Sequence, residues 1–323
     1  MKIKSQECYW NDIPLYIDLG PSTHINLIKE KNIDLLITHS HADHTTGKIK
    51  CGSVTVRDLY VPAYYPEYKK IIYILTKKYP PLKIPKPKNV KLVWDGMKID
   101  ECGHINILNP PLNPLTLFAI NNISDSDVAQ FLSTYNTSID EILETNDEFG
   151  DLVRPQEYEP KTFVKAAISL IAARSKKTKL LSSVLKEFDE YDANKISIVL
   201  NYRNQDNKTY LLTGDADKSV FKRLIDRKEL KLHADVLKMP HHGSKKSISN
   251  SQVKFIDPKV AICSHKNGLF GKAKDPHPNI EIIEIMKKNG IAAYYTNDVI
   301  KGTKVIIRKS KGLIRGHSLE IKP

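Results

Sequence analysis

Four side chains that commonly bind metal ions lie close together near the start of the chain. The continuous apolar run Leu35-Leu36-Ile37 predicts a buried strand, and it is followed directly by His39, His41, Asp43 and His44. Imidazole and carboxylate ligands together suit Zn²⁺, and also Mn²⁺ or Fe²⁺ where carboxylates and water complete the shell. A loop at a strand end can turn the first two histidines towards one ion and the Asp–His pair towards another. The spacing predicts a two-metal site, because a chance surface loop seldom combines these four residues.

Two later segments supply candidate ligands of the kind that a two-metal site needs from elsewhere in the chain. Asp215 follows an apolar strand-like run, where its carboxylate can bridge two cations, and His241 and His242 follow the strand predicted at 234–239. Adjacent histidines point in different directions, so one can bind metal while the other faces substrate as a general acid or hydrogen-bond donor. Taken separately, each segment is typical of a polar loop. Together with the first motif they favour a metal centre.

The elements that must position these side chains alternate between strands and helices in both halves of the chain, which predicts a layered α/β fold. Strands are predicted at 13–18, 34–38, 54–61, 90–94, 97–101, 105–108, 196–202, 209–213, 234–239, 260–264, 292–295 and 303–308, and helices at 23–31, 62–81, 218–229 and 280–289. Helical spacing dominates from about 124 to 191, with Ser124 as an N-cap. We therefore expect three segments: 1–111 as the first half of the main domain, 112–193 as an inserted helical subdomain, and 194–323 as the second half.

Composition indicates a globular protein with a substantial core. The 323 residues are 41% hydrophobic and 27% charged, and no apolar run is long enough to span a bilayer, so no membrane partner is expected. The first residues lack the apolar region of a signal peptide. Four scattered cysteines without a CxxC pair argue against a disulfide framework and a zinc finger. These features predict a cytoplasmic protein in a reducing compartment.

The charge balance suits a polyanionic partner. Fifty Lys and Arg residues against 37 Asp and Glu give a formal net charge of +13. Such an excess attracts nucleic acid or another phosphate-bearing molecule. The alternative is a lysine-rich surface that merely solvates the protein, because the lysine pairs at 176–177, 245–246 and 287–288 are short and dispersed.

Taken in order, the motifs resemble those of a known family. They are His39-Ser-His-Ala-Asp-His44, Ile107-Leu-Asn-Pro-Pro111, Asn194-Lys-Ile-Ser-Ile-Val-Leu200, Leu211-Leu-Thr-Gly-Asp-Ala216, Ala234-Asp-Val-Leu-Lys-Met-Pro-His-His-Gly-Ser244 and Asp275-Pro-His-Pro278. The chain is similar to the metallo-β-lactamase superfamily, most closely to the soluble hydrolase domain of the ComEC/Rec2 DNA-uptake proteins, over about 12–110 and 194–308. The membrane channel of those proteins has no counterpart in this sequence.

The resemblance implies an αββα sandwich whose site lies at the open edge between two sheets. It implies two divalent cations, with Zn²⁺ expected and Mn²⁺ as the alternative. The implied metal ligands are His39, His41, Asp43, His44, Asp215 as the bridge, and one of His241 and His242, with His242 preferred. Asp43, His241 and His242 are the predicted catalytic residues, and Ser244, Lys245 and His277 the predicted substrate contacts. Lys238 and Lys246 are further candidates for contacts with phosphate oxygens.

Two departures from the family pattern raise further candidates. Many members supply another histidine between the first motif and the bridging aspartate, and His104 is the one candidate here, although a lone histidine in an apolar strand is more often packed or capped. His265 follows the strand at 260–264, where other branches carry a final ligand, so it is a reserve ligand with His104. The second departure is the segment 112–193, which can cover the site, contact substrate or form a homodimer interface.

These expectations favour a phosphodiesterase, and in particular a nuclease that binds DNA or RNA. The alternative is a hydrolase of a small substrate, such as a cyclic nucleotide, ester, thioester or lactam, with the insertion as a lid. A scaffold protein with a decayed site is disfavoured, because the His-rich, Gly-Asp and His-His-Gly-Ser motifs are all intact.

Overall fold

The structure is a computed structural model that describes residues 2–3, 13–20, 28, 30–45, 49, 54–77, 82, 84–100, 102–120, 122–144, 152, 154–177, 181–228, 230, 232–265, 271–272, 275–301, 304–307, 313–315 and 318–320. Its strands are β1 Lys2–Ile3, β2 Leu15–Ile17, β3 Asn32–Leu36, β4 Thr55–Pro62, β5 Asn89–Val93, β6 Ile105–Asn109, β7 Val199–Arg203, β8 Thr209–Leu212, β9 Val236–Lys238, β10 Val260–Cys263, β11 Gly271–Lys272, β12 Asp275–Pro276, β13 Ala292–Tyr295, β14 Val299–Lys301, β15 Lys304–Ile307, β16 Leu313–Arg315 and β17 Ser318–Glu320.

The helices are α1 Ala42–Thr45, α2 Tyr65–Thr76, α3 Pro114–Phe118, α4 Asp125–Ser133, α5 Ile139–Leu143, α6 Pro160–Lys177, α7 Leu181–Glu187, α8 Lys218–Asp226, α9 Asn250–Ile256 and α10 Ile280–Lys288. A π-helical turn, Phe188–Asp192, follows α7, and 3₁₀ turns span Ala193–Ile196 and Pro240–Gly243. Strands and helices alternate as predicted, so the α/β class is confirmed. None of the helices in the described ranges is long and apolar enough to cross a membrane.

The chain forms two compact units. The first comprises Met1–Cys102 and Asn109–Ile198, and the second Gly103–Leu108 and Val199–Pro323. Each unit contains one of the two large sheets, apart from Asn109 at the end of β6. The division into 1–111, 112–193 and 194–323 stays a prediction.

The sheet of the first unit is ordered β1-β2-β3-β4-β5, and β2 to β5 run parallel. Parallel strands are covered on both faces, which explains why Leu35, Leu36 and Ile37 form an unbroken apolar run and are fully buried. Ile17 pairs with Leu36, so β2 and β3 end side by side. The segments that follow them therefore meet at one sheet edge.

Helices α3 to α7 pack on this sheet and on α2 within a single hydrophobic core. Phe163 of α6 is fully buried, with its ring centroid 4.5 Å from that of Tyr64 and 5.5 Å from that of Phe118. Ser124 caps α4 as predicted, because its Oγ accepts a hydrogen bond from the Asp127 amide at 3.2 Å. The helical segment thus shares a core with the first sheet.

The sheet of the second unit is ordered β13-β10-β9-β8-β7-β6. Strands β8, β9, β10 and β13 are parallel, whereas β7 and β8 form the predicted antiparallel hairpin with Leu200 opposite Leu212 and Arg203 opposite Thr209. The carboxyl ends of the four parallel strands lie at one edge. In sheets of this kind that edge is where ligands usually bind.

Three predictions need comment. The prediction of a strand at 97–101 is wrong for the described residues 97–100. A turn precedes them instead, in which Gly96 has a left-handed φ of 92° and the Met97 amide donates to the Trp94 carbonyl. The helix predicted at 23–31 lies largely outside the described residues. Cys102 is disulfide-bonded, contrary to the expectation from scattered cysteines, because separation along the chain does not report distance in space.

Replacing Phe163 with alanine should lower the free energy of unfolding by about 3–5 kcal/mol, since it removes a fully buried ring between the first sheet's helix and the later helices. Phe255→Ala is the matched control, because that ring is 47% exposed and its loss should cost about 0.5 kcal/mol or less. Urea unfolding measures both variants. Equal losses would contradict a core shared between the sheet and the helical segment.

Candidate functional site

In the first unit, the candidate ligands follow β3 at the edge where β2 also ends. The short helix α1 begins directly after His41, whose carbonyl accepts hydrogen bonds from the His44 amide at 3.0 Å and the Thr45 hydroxyl at 3.0 Å. This turn brings Asp43 and His44 back towards the strand end. The ring centroids of His39 and His44 are 4.2 Å apart, and those of His39 and His41 are 4.6 Å apart.

Asp18, which follows β2, organises these side chains. Its carboxylate accepts hydrogen bonds from the Thr38 amide at 2.8 Å, from the Thr38 hydroxyl at 2.9 and 3.0 Å, and from His44 Nδ1 at 2.7 Å. His39 Nδ1 lies 3.1 Å from the Thr38 hydroxyl oxygen. Sequence reasoning missed Asp18, although an aspartate after an apolar strand parallel to β3 is the signal that could have identified it.

The hydrogen-bond partners determine which ring nitrogen carries the proton in each histidine. A carboxylate only accepts, so His44 carries its proton on Nδ1, and the Thr38 hydroxyl, which donates to Asp18, accepts from Nδ1 of His39. The carbonyl of Asp189 lies 2.5 Å from His41 Nε2 and likewise only accepts, which places the proton of His41 on Nε2. In the neutral rings, the opposite nitrogens therefore carry lone pairs.

These lone pairs converge. His39 Nε2 is 3.0 Å from His41 Nδ1, and His44 Nε2 is 3.4 Å from an Asp43 carboxylate oxygen. With neutral rings, each contact brings two hydrogen-bond acceptors together, and either a bound cation or a second ring proton stabilises this arrangement. The residues of the first unit therefore fit a bound metal ion by the chemistry of their donor atoms.

In the second unit, Asp215 follows β8 and is buried. The neighbouring strand end supports it, because the Thr213 hydroxyl donates to the Lys238 carbonyl at 2.8 Å and Lys238 Nζ donates to the Gly214 carbonyl at 2.8 Å. Lys238 Nζ also lies 3.9 Å from an Asp215 carboxylate oxygen. Lys238 thus contacts this strand end, and its predicted contact with substrate phosphates stays a prediction.

The two adjacent histidines differ in their surroundings. His242 is buried, and its Nδ1 lies 2.6 Å from the Ser264 carbonyl. In the neutral ring, Nε2 therefore carries the lone pair, and it lies 3.6 Å from an Asp215 carboxylate oxygen. His241 is more exposed, lies 3.9 Å from the same carboxylate, and has its ring centroid 4.9 Å from that of His277. His242 therefore has the setting of a metal ligand, and His241 that of a group able to meet substrate.

The turn that carries this pair is conformationally strained. His241 (φ 46°) and His242 (φ 52°) both adopt left-handed backbone conformations, followed by Gly243 (φ 79°). Left-handed conformations cost non-glycine residues roughly 1–2 kcal/mol each, and such strain clusters at functional sites. Burial raises the pKa of the Cys263 thiol to about 12, and its Sγ donates to the His242 carbonyl at 3.4 Å, which helps to hold the turn.

The predicted substrate contacts lie on or beside the same turn. Ser244 is buried, and its amide donates to the His241 carbonyl at 2.9 Å. Lys245 is half-buried at the next position, and His277 lies against His241. The structure thus brings Ser244, Lys245 and His277 together with His241 within the second unit.

The two reserve ligands lie in other settings. The His104 carbonyl pairs with the Arg203 amide at 2.9 Å, at the end of the β7–β8 hairpin opposite to the end that leads to Asp215. His265 is at the same edge as His242, but its Nε2 contacts the Asn297 carbonyl at 3.0 Å, and burial lowers its pKa. The structure does not bring His104 to the candidate ligands.

Buried and half-buried histidine and aspartate side chains occur in groups that could hold a metal ion. In the first unit their members are His39, His41, Asp43 and His44, and in the second unit Asp215 and His242. Among the described residues, His104, His241 and His265 are not members of such a group. No family model matches the chain, and no curated protein matches it.

Replacing Gly243 with alanine should destabilise the second unit more than replacing Gly290 with alanine. Both glycines have left-handed φ angles, but a Cβ at Gly243 would lie 2.8 Å from Cβ of Pro278, whereas one at Gly290 would meet nothing within 4 Å. We expect a loss of about 1 kcal/mol for Gly290→Ala from backbone strain alone, and a clearly larger loss for Gly243→Ala. Urea denaturation compares them, and equal losses would contradict tight packing of Pro278 on the histidine turn.

Proposed function

We propose that the protein is a metal-dependent phosphodiesterase that acts on nucleic acid. The observation that carries this proposal is the convergence of lone pairs in the His39–His44 motif, where the outer nitrogen of each ring is hydrogen-bonded and the inner nitrogen faces another acceptor. Hydrogen bonding of the outer nitrogen is the usual support of metal-binding histidines.

We assign two divalent cations to the candidate ligands, with Zn²⁺ as the preferred metal and Mn²⁺ as the alternative. The candidate ligands are four imidazoles and two carboxylates, a mixture that suits Zn²⁺ and, where water completes the shell, Mn²⁺. Asp215 is the proposed bridging ligand, and His242 the proposed sixth. The proposal includes an αββα sandwich, for which the resemblance of the motifs and the placement of every proposed ligand at a strand's carboxyl end are the support.

Divalent cations, when bound, would supply a nucleophile at neutral pH by lowering the pKa of water, and would stabilise the attacking and leaving oxygens. We assign the remaining roles, which are proton donation and charge neutralisation, to side chains of the second unit. His241 donates a proton to the leaving oxygen, and His277, packed against it, orients its ring. Lys245 neutralises a phosphate oxygen as a point charge.

Charge supports a nucleic-acid substrate. The net charge of +13 concentrates polyanions near the surface, and Lys245 and Lys246 directly follow the histidine turn. A hydrolase of a small substrate is the second candidate. It is favoured by the contact of the Asp189 carbonyl with His41, because this contact places the helical segment beside the candidate ligands, where a lid would lie.

Asp215→Asn should abolish phosphodiester hydrolysis and lower the metal content of the purified protein, because an amide cannot replace a bridging carboxylate. Asp206→Asn, in the exposed turn of the β7–β8 hairpin, is the matched control and should retain full activity. Labelled oligonucleotides and cyclic nucleotides assayed with Zn²⁺ and Mn²⁺, together with elemental analysis, measure the outcome. Turnover by Asp215→Asn at the wild-type rate would refute the assignment.

Oligonucleotide binding should weaken steeply with salt if nucleic acid is the substrate. Measured in the non-cleaving Asp215→Asn background, the slope of log K against log salt should fall by about one when Lys245 is replaced by alanine. Lys254→Ala, on the exposed side of α9, should leave the slope unchanged. Absence of salt-dependent binding, combined with turnover of cyclic nucleotides or small esters, would favour the small-substrate alternative.

A further inference from the structure

The helical segment of the first unit contacts the metal motif, His39–His44, through a backbone carbonyl. His41 Nε2 lies 2.5 Å from the backbone carbonyl of Asp189, a residue 148 positions later in the chain. The outer nitrogens of His39 and His44 are held by Thr38 and Asp18, which follow neighbouring strands of the sheet. Among the three histidines, His41 is therefore the one oriented by a group from the helices.

Asp189 belongs to the π-helical turn Phe188–Asp192, which interrupts the regular hydrogen bonding that ends α7. π-helical turns have i→i+5 hydrogen bonding, are rare, and occur frequently at functional sites. Here the backbone carbonyl of Asp189, within this turn, accepts the proton of His41.

Buried contacts hold this turn in place at both ends. The Phe188 ring stacks on Tyr68 of α2 with centroids 5.3 Å apart, and the Tyr68 hydroxyl donates to the Phe188 carbonyl at 3.2 Å and lies 3.4 Å from a carboxylate oxygen of Asp189. At the other end, the buried Asp192 pairs with Arg174 of α6 and, at 2.9 Å, with Lys195. Moving this end of the turn would separate the buried Asp192 carboxylate from its cationic partners, which is strongly unfavourable.

We propose that the π-helical turn is a positioning device for the metal centre, with the Asp189 carbonyl setting the tautomer of His41 and Tyr68 holding the turn. The inference rests on the proposed function, because it assigns the turn a role only if His41 binds metal through Nδ1. With the proton on Nε2, Nδ1 carries the lone pair and faces His39 Nε2. A released turn would let the ring rotate or exchange tautomers, which would remove one ligand atom.

The test compares Tyr68→Phe with Tyr158→Phe. Both substitutions remove a buried tyrosine hydroxyl, but the Tyr158 hydroxyl donates to Glu67 at 2.5 Å and accepts from the Tyr64 amide at 3.2 Å, and neither partner belongs to the π-helical turn. Competition with a chromogenic chelator measures the Zn²⁺ affinity and stoichiometry of each protein. We expect Tyr68→Phe to weaken binding at one of two sites by about tenfold, and Tyr158→Phe to leave it unchanged.

The possible outcomes distinguish the positioning role of the π-helical turn from the proposed metal centre itself. Two wild-type equivalents of Zn²⁺ with equal affinities for Tyr68→Phe and the wild type would overturn the positioning role and leave the metal centre standing. Equal weakening by both substitutions would also overturn it, because the effect would then be general destabilisation. A wild-type protein that binds no metal would overturn the proposed function together with the inference.

A second measurement is independent of metal affinity. Nitrogen NMR of ¹⁵N-histidine-labelled, metal-free protein reports the tautomer of each ring, with His41→Asn identifying the His41 resonances. We expect the Nε2–H form of His41 in the wild type and in Tyr158→Phe, and a mixture of tautomers in Tyr68→Phe. A wild-type His41 protonated on Nδ1 would contradict the role of the Asp189 carbonyl directly.

Discussion

The candidate site depends on hydrogen bonds that face away from it. Each proposed histidine ligand gives the proton of its outer nitrogen to an acceptor: the Thr38 hydroxyl, the Asp18 carboxylate or a backbone carbonyl. These bonds fix the tautomer and orientation of the rings, and so direct lone pairs towards one another. The same bonds that order the rings therefore arrange them so that they could hold a metal ion.

Parallel strand ends allow both units to use this arrangement. In the first unit, Asp18 and Thr38 follow adjacent parallel strands, so one carboxylate reaches the backbone and side chain of its neighbour as well as His44. In the second unit, the segments after β8, β9 and β10 bring Asp215, His242 and the Ser264 carbonyl to one edge. The left-handed turn at His241 and His242 costs stability, and the close packing of Pro278 on Gly243 maintains it.

The helical segment both packs on the first sheet and contacts the metal motif, which distinguishes it from an independent added subdomain. Its helices complete the hydrophobic core over the first sheet, and one carbonyl from its π-helical turn reaches His41. Stability and ligand geometry are therefore coupled in this unit, because the core that buries Phe188 also sets the position of Asp189. Removing the segment would expose the sheet and take away the acceptor that meets Nε2 of His41.

The sequence by itself determined the α/β class, the Ser124 cap, the β7–β8 hairpin and the candidate ligands, because strand periodicity, capping and ligand chemistry are local properties of the chain. It did not identify Asp18 or the Asp189 carbonyl, and it left His241 and His242 nearly equivalent. Only the tertiary structure separated that pair and placed His104 at the far end of its sheet. The physical reason is that an imidazole's role depends on which acceptor meets its outer nitrogen, and those acceptors come from segments whose proximity no local pattern records.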